Sequence, residues 1–95
     1  MTREQAERIL ERFPGWSLGD GFIQRDFKFK SYLNGLDFAY NVGKVAEEQN
    51  HHPDMRVGWR RVRVTLSTHV IKGLSMNDFI IAGKAELEYQ KYSFQ

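Results

Sequence analysis

Apolar and polar residues alternate between positions 61 and 68, and this alternation constrains the fold more than any other feature of the chain. The apolar members are Val62, Val64 and Leu66, and the polar members are Arg61, Arg63, Thr65 and Ser67. Successive side chains of a β-strand point to opposite faces, so the pattern predicts a strand with one apolar and one polar face. Such a strand needs partners in a sheet and an apolar layer that covers one side of that sheet.

Two shorter elements are predicted before this strand. Thr2 and Gln5 form a capping-box pattern, which begins a helix with apolar positions at Ala6, Ile9, Leu10 and Phe13. Pro14-Gly15 ends the helical spacing. The turn sequence Gly19-Asp20-Gly21 then separates residues 16–18 from residues 22–29, so these two segments are predicted to form a hairpin.

Two longer helices flank a second hairpin in the remaining sequence. Ser31 is placed to cap a helix with one face formed by Tyr32, Leu36, Ala39, Val42, Gly43 and Ala46. This helix should end near Asn50, because Pro53 disfavours helical geometry at His52. The second hairpin covers residues 55–68 and turns near Trp59-Arg60. A last helix follows Gly73-Leu74-Ser75 towards Tyr92, with a buried side formed by Phe79, Ala82, Gly83 and Leu87.

The predicted order is therefore αββαββα in one domain over residues 1–95. Consecutive hairpins favour an antiparallel sheet, so the fold class is α+β, in which three helices pack on one face of a four-stranded antiparallel sheet. The chain of 95 residues, 41% of them hydrophobic and 27% charged, has the composition of a small globular domain. A core of this size often gains stability from self-association, and we expect a homodimer or homotetramer.

Composition also narrows the class of function and the cellular setting. The absence of cysteine excludes thiolate catalysis and cysteine-based metal sites, and it fits a reducing compartment. The chain has no apolar run that fits a signal peptide or spans a bilayer, so we expect a cytoplasmic protein without a membrane partner. A net charge of +2 and a basic cluster with one aromatic residue, Trp59, do not predict a nucleic-acid partner.

The histidines point to acid/base chemistry. Two of the three, His51 and His52, stand together before Pro53, and His69 follows the alternating strand. Histidine takes and gives protons near neutral pH, so three histidines in one site could supply both an acid and a base. A metal site is disfavoured, because adjacent histidines converge poorly on one ion and no His-x-His or His-x-x-x-His pair is present.

The spacing of these residues resembles the pterin-4a-carbinolamine dehydratase family. Glu47 is followed by His51-His52-Pro53, Trp59, Thr65-Leu66-Ser67-Thr68-His69, Gly73-Leu74-Ser75 and Asp78. Met55 stands where many relatives have a tryptophan. The resemblance covers nearly the whole chain and implies the same αββαββα fold.

The resemblance implies a lyase that dehydrates 4a-hydroxytetrahydropterin to quinonoid dihydropterin with no metal or organic cofactor, in the recycling of tetrahydrobiopterin. It implies His51, His52, His69 and Asp78 as catalytic residues. The pterin substrate would be bound by His51, His52, Pro53, Trp59, Ser67, Thr68 and His69. We expect His51 and His69 to transfer protons and His52 to orient the pterin.

Several alternatives remain open from the sequence. Asp78 is the third residue after a serine cap, so it either caps the last helix, orients a histidine or does both. One histidine of the pair is either catalytic or merely a helix C-terminal residue favoured by the helix dipole. His69 also fits an exposed strand end, Trp59 also fits packing at the hairpin, and Glu47 fits a solvated helix position.

Two alternatives also remain for function. Animal relatives serve as dimerisation partners of a transcription factor, which would need an exposed apolar helix face near Val42 and Val45. A pterin of the molybdenum-cofactor type is the other possible substrate.

Overall fold

The computed structural model describes residues 1–68 and 73–92, and the elements in these ranges follow the predicted order. The helices are α1 (Arg3–Leu10), α2 (Tyr32–Gln49) and α3 (Met76–Tyr89), and a 3-10 turn (Gln90–Tyr92) follows α3. The strands are β1 (Ser17–Leu18), β2 (Ile23–Lys28), β3 (Asp54–Val57) and β4 (Arg61–Leu66). The predicted α+β class and the order αββαββα are confirmed. None of the helices in the described ranges combines the length and apolar character needed to cross a membrane.

The four strands form one antiparallel sheet in the order β1-β2-β4-β3. Strand β4 is interior, with Val64 opposite Arg25 of β2 and Met55 of β3. The side chains of Val62, Val64 and Leu66 are completely buried, which confirms the apolar face predicted from the alternation. Strand β3 lies at one edge of the sheet, and its first residue follows directly from the histidine segment.

An aromatic cluster joins the sheet to α2 and α3. The ring centroids of Phe27 and Phe38 are 4.7 Å apart, and Tyr89 approaches Phe27 at 4.9 Å. Phe27 and Phe38 are fully buried. Complete burial of a side chain of this size contributes about 1.5–3 kcal/mol, so this cluster holds the helical layer firmly against the sheet.

Local signals set the starts of α1 and α2 as the sequence predicts. The Thr2 hydroxyl accepts from the Gln5 N–H at 3.1 Å, and the Gln5 side chain accepts from the Thr2 N–H at 2.7 Å. Ser31 caps α2 by accepting from the Asn34 N–H at 3.1 Å. Helix α1 ends at Leu10, before the predicted stop at Pro14, because i→i+3 bonds from Arg12 and Phe13 tighten the following turn.

The faces of two helices were partly wrong in the sequence prediction. Tyr32 and Leu36 are 47% and 37% exposed, and the buried face of α2 consists of Gly35, Phe38, Ala39, Val42 and Ala46. Leu87 of α3 is 64% exposed, because the buried positions Phe79, Ala82 and Ala85 lie on another side of that helix. Both helices carry apolar residues on more than one side, so helical spacing alone did not fix which side packs on the sheet.

Candidate active site

His51 owes its position to the way α2 ends. Asn50 adopts the left-handed conformation with φ of 49°, which stops the helix. The His51 N–H then donates to the Ala46 carbonyl at 3.1 Å, in the six-residue loop of a Schellman motif. This turn directs the His51 side chain towards α3, where it is only 13% exposed.

Asp78 is the buried partner of His51. Its side chain is completely buried, and its Oδ1 lies 2.5 Å from Nε2 of His51. Asp78 is the third residue of α3, and its Oδ2 accepts from the N–H of Ser75, the N-cap residue, at 3.0 Å. The two roles that the sequence left open for Asp78 are therefore both present, because one oxygen contacts the cap and the other contacts the histidine.

Two hydroxyl groups complete the surroundings of Asp78. Thr68 Oγ1 donates to Asp78 Oδ2 at 2.8 Å, and it lies 2.7 Å from the Ser75 hydroxyl. The backbones of Thr68 and Gly73 also pair with each other, through N···O distances of 2.7 and 3.3 Å. The end of the β4 segment, the start of α3 and the end of α2 thus meet at one carboxylate.

His52 has a different environment from His51. Its side chain is 55% exposed, and its Nε2 lies 3.4 Å from Oε2 of Glu47. Glu47 is itself 78% exposed, as predicted for a solvated helix position. The two neighbouring histidines therefore differ in exposure, with 13% for the His51 side chain and 55% for that of His52. His52 is consequently open to a ligand, whereas Nε2 of His51 is held by the protein.

The other predicted site residues are spread over both ends of the second hairpin. Pro53 and Ser67 are half-buried beside the His51 and Thr68 segments. Trp59 is 72% exposed at the turn, with the Arg60 guanidinium 4.3 Å from its ring. Strand β3 separates Pro53 from Trp59 by roughly 20 Å, so the hairpin does not bring Trp59 to His51 or His52 of its own chain. His69 lies outside the described residues.

The hydrogen-bond chemistry of the pair defines its reactive atom. An ionised carboxylate only accepts hydrogen bonds, so Asp78 selects the His51 tautomer that carries its hydrogen on Nε2. The lone pair of the neutral ring is then on Nδ1. This is the arrangement in which a buried carboxylate orients an imidazole for proton transfer. In the described ranges, no three histidine, aspartate or glutamate side chains are grouped closely enough to hold a metal ion.

Sequence reasoning predicted the contact of Asp78 with the Ser75 N–H, but it missed the contacts of the Thr68 hydroxyl with Asp78 and with the Ser75 hydroxyl. Thr68 was predicted as a substrate-binding residue, and Ser75 was noted only as a helix cap. The available signal was the presence of two hydroxyl residues, Thr68 and Ser75, before Asp78 in the sequence. It did not show that Thr68 contacts Asp78, because the two residues are 10 positions apart and their contact depends on the pairing of Thr68 with Gly73.

Comparisons with known proteins show the family to which the chain belongs. The family described as Pterin 4 alpha carbinolamine dehydratase matches residues 1–87. A Rubrobacter xylanophilus protein named as a candidate pterin-4-alpha-carbinolamine dehydratase is 44% identical, covering 87% of this chain and 78% of its own. The Arabidopsis thaliana mitochondrial pterin-4-alpha-carbinolamine dehydratase 2 is 40% identical, covering 88% of this chain and 48% of its own.

A solved structure agrees over almost the full length. The crystal structure of a transcriptional coactivator/pterin dehydratase from Brucella melitensis superposes with a TM-score of 0.89 at 31% identity. The match covers 94% of this chain and 97% of the Brucella chain. The family resemblance inferred from the histidine motif is therefore confirmed.

Proposed function

Since the chain belongs to the pterin 4 alpha carbinolamine dehydratase family, we propose that it is a hydro-lyase that converts 4a-hydroxytetrahydropterin to quinonoid dihydropterin and water. The observation that carries this proposal is the contact of His51 with the completely buried Asp78. It supplies an oriented imidazole, which the reaction needs. The physiological role proposed is the recycling of a spent tetrahydrobiopterin cofactor in the cytoplasm.

The reaction requires one proton to be added and another to be removed. The C4a–O bond breaks as the 4a-hydroxyl takes up a proton and leaves as water. The adjacent ring nitrogen loses its proton, and its electron pair forms the new C=N double bond. A positioned general acid or base typically contributes ~100- to 10,000-fold, so the two proton transfers need two groups within hydrogen-bond reach.

We assign His51 to one of these transfers. With Nε2 held by Asp78, Nδ1 of His51 is the atom that would exchange a proton with the pterin. His69 is proposed for the other transfer, on the strength of the family motif. His52, exposed beside His51, is proposed to donate to the pterin ring and orient it, together with Pro53 and Ser67.

A homo-oligomer is proposed as the functional form, because it would account for Trp59. Strand β3 is an edge strand, and its backbone is open to pairing on one side. Antiparallel pairing of two β3 strands about their centres would place Trp59 of one copy near Pro53 of the other. Trp59 could then stack on a pterin at the neighbouring histidines.

A stopped-flow dehydration assay tests the activity. The substrate is freshly generated 4a-hydroxytetrahydropterin, and the readout is the rate above the uncatalysed reaction. The wild-type protein should accelerate dehydration, and His51→Ala should remove most of that acceleration. Glu48→Ala is the control, because Glu48 is exposed in the last turn of α2, three residues before His51. A wild-type protein without acceleration would contradict the proposal.

A second candidate function is protein binding by α2. The Brucella protein is named both a transcriptional coactivator and a pterin dehydratase. Helix α2 exposes Leu33, Leu36 and Tyr40 by 72%, 37% and 66%, and this stripe could receive a partner or a second copy. The face predicted near Val42 was wrong, because Val42 is only 1% exposed and packs in the core. Size-exclusion chromatography of Leu33→Glu against wild type would show whether the stripe mediates self-association.

A further inference from the structure

The Asp78 carboxylate has a fixed set of donors around it. Its side chain is completely buried, and an ionised carboxylate without water is stable only when hydrogen bonds replace the lost hydration. Oδ2 accepts from Thr68 Oγ1 at 2.8 Å and from the Ser75 N–H at 3.0 Å. Oδ1 is left for the imidazole of His51 at 2.5 Å. All three contacts come from different segments of the fold.

The direction of each hydrogen bond follows from the number of hydrogens available. The carboxylate has none, so Thr68 must donate its single hydroxyl hydrogen to Oδ2. The short contact between Thr68 Oγ1 and Ser75 Oγ, at 2.7 Å, must then use the hydrogen of Ser75. The hydrogen bonds therefore run from Ser75 to Thr68 and on to Asp78, and His51 approaches the same carboxylate from its other oxygen.

Thr68 has little capacity left for a ligand. Its N–H donates to the Gly73 carbonyl at 2.7 Å, and its own carbonyl accepts from the Gly73 N–H at 3.3 Å. Its hydroxyl hydrogen is directed at Asp78 in the protein interior. Both of its donors are therefore used within the protein, which argues against the substrate-binding role predicted from the sequence.

We infer that Thr68 is a positioning residue that, supported by Ser75, holds the Asp78 carboxylate so that Oδ1 fixes the orientation and tautomer of His51. Without the Thr68 hydroxyl, the carboxylate would lose one of its two anchors on Oδ2 and could rotate about its terminal bond. The catalytic consequence rests on the function proposed above. The consequence for the His51 ring does not, because it is a property of the protein without substrate.

Nuclear magnetic resonance of protein labelled with ¹⁵N-histidine tests the inference directly. The nitrogen chemical shifts of His51 report which ring nitrogen carries the hydrogen. Wild-type protein should show the Nε2–H form. Thr68→Val replaces the hydroxyl by a methyl group of similar shape, and it should show a mixture of the two tautomers. Thr68→Ser, which retains the hydroxyl, should resemble wild type. Thr65→Val is the matched control, because Thr65 lies on β4, three residues before Thr68, and contacts Gln24 at 3.4 Å, away from Asp78.

Kinetics of the same variants separate positioning from substrate binding. Loss of a partner that orients a metal-ligating histidine typically costs ~10- to 100-fold, and we expect kcat to fall by a similar factor in Thr68→Val with KM nearly unchanged. A substrate-binding residue would instead raise KM at constant kcat. Unchanged His51 shifts in Thr68→Val, or an effect confined to KM, would overturn the inference.

Two further outcomes remain interpretable. If Thr68→Val does not fold, Ser75→Ala should move the His51 shifts in the same direction by a smaller amount, and unchanged shifts in that variant would overturn the inference. If the shifts change but wild-type protein has no dehydratase activity, the positioning role stands and the proposed function fails.

Discussion

The Nε2 atom of His51 lies 2.5 Å from Oδ1 of Asp78, although the two residues are 27 positions apart. This contact ties the residue after α2 to the first turn of α3. The orientation of the proposed proton-transfer group therefore depends on the placement of the two helices as well as on the turn at Asn50. Variants that disturb either end of the contact should lower kcat strongly while the protein still folds.

Asp78→Asn should lower kcat by about 100- to 10,000-fold. The amide that replaces the carboxylate can donate to Nε2, which favours the opposite His51 tautomer and removes the lone pair from Nδ1. Loss of the charged acceptor for Thr68 and Ser75 should also cost about 1–3 kcal/mol of stability. Stopped-flow rates and thermal unfolding of the same sample measure both effects. Asp20→Asn, in an exposed turn, is the control. A full kcat with reduced melting temperature would show that Asp78 serves only as a cap.

His51→Ala and His52→Ala should differ in which kinetic constant changes. His51 is 13% exposed and held by Asp78, whereas His52 is 55% exposed. Loss of a proton-transfer group lowers kcat, and loss of a binding contact chiefly raises KM. We therefore expect low kcat for His51→Ala and a raised KM for His52→Ala. A His52→Ala enzyme with normal KM and no turnover would reverse the two assignments.

The parts of the fold that the sequence predicted correctly are those set by interactions between residues close in the chain. The alternation in β4 and the caps at Thr2 and Ser31 act over two to four residues, so each is legible without tertiary information. The faces of α2 and α3 were less certain, because apolar residues occupy more than one side. Leu36 and Leu87 have the right spacing and still remain exposed.

The candidate site was only partly predictable for the same reason. The histidine motif predicted acid/base chemistry and different roles for His51 and His52, but it did not give the burial or the partner of either side chain. Their difference depends on the left-handed Asn50 and on the position of Asp78, which are set by the end of one helix and the start of another. The contact between Thr68 and Asp78 depends on chain pairing at Gly73, which periodicity does not encode.

A chelator should neither inhibit nor unfold the protein. Within the described ranges there is no group of three or more potential metal ligands, and the proposed mechanism needs only proton transfer. Dehydration rate and melting temperature, measured before and after dialysis against ethylenediaminetetraacetate, test this expectation. Activity that is lost in the chelator and restored by zinc would contradict a metal-free mechanism.

Glu86→Ala should lower the free energy of unfolding by about 1–3 kcal/mol. Arg25 Nη1 lies 2.6 and 2.7 Å from the two Glu86 oxygens, and Trp16 Nε1 donates to the same carboxylate at 2.9 Å. The substitution leaves these partly buried donors without their acceptor. Glu7→Ala is the control, because the Arg3–Glu7 pair is 65% and 57% exposed and should contribute less than about 0.5 kcal/mol. Urea denaturation measures the loss of unfolding free energy in both variants. Equal losses would show that the Arg25–Glu86 pair contributes no more than an exposed surface ion pair.

Tyr92 should make stability fall at high pH. Burial, reinforced by the hydrogen bond to Asp37, raises the pKa of Tyr92 to about 12, compared with roughly 10 in an unfolded chain. The folded state therefore favours the neutral phenol. This contribution is fully present below about pH 10 and is lost as the pH rises through about 12, because both states then bind no proton at this site.

Tyr92→Phe isolates this contribution from other groups that titrate in the same range. The difference in the free energy of unfolding between wild type and Tyr92→Phe should be constant up to about pH 10 and should shrink towards pH 12. Chemical denaturation at several pH values measures it. Asp37→Ala should retain much of the effect, because burial is the larger cause of the raised pKa of Tyr92. A difference between wild type and Tyr92→Phe that does not change across this range would show that the phenol of Tyr92 is not linked to folding.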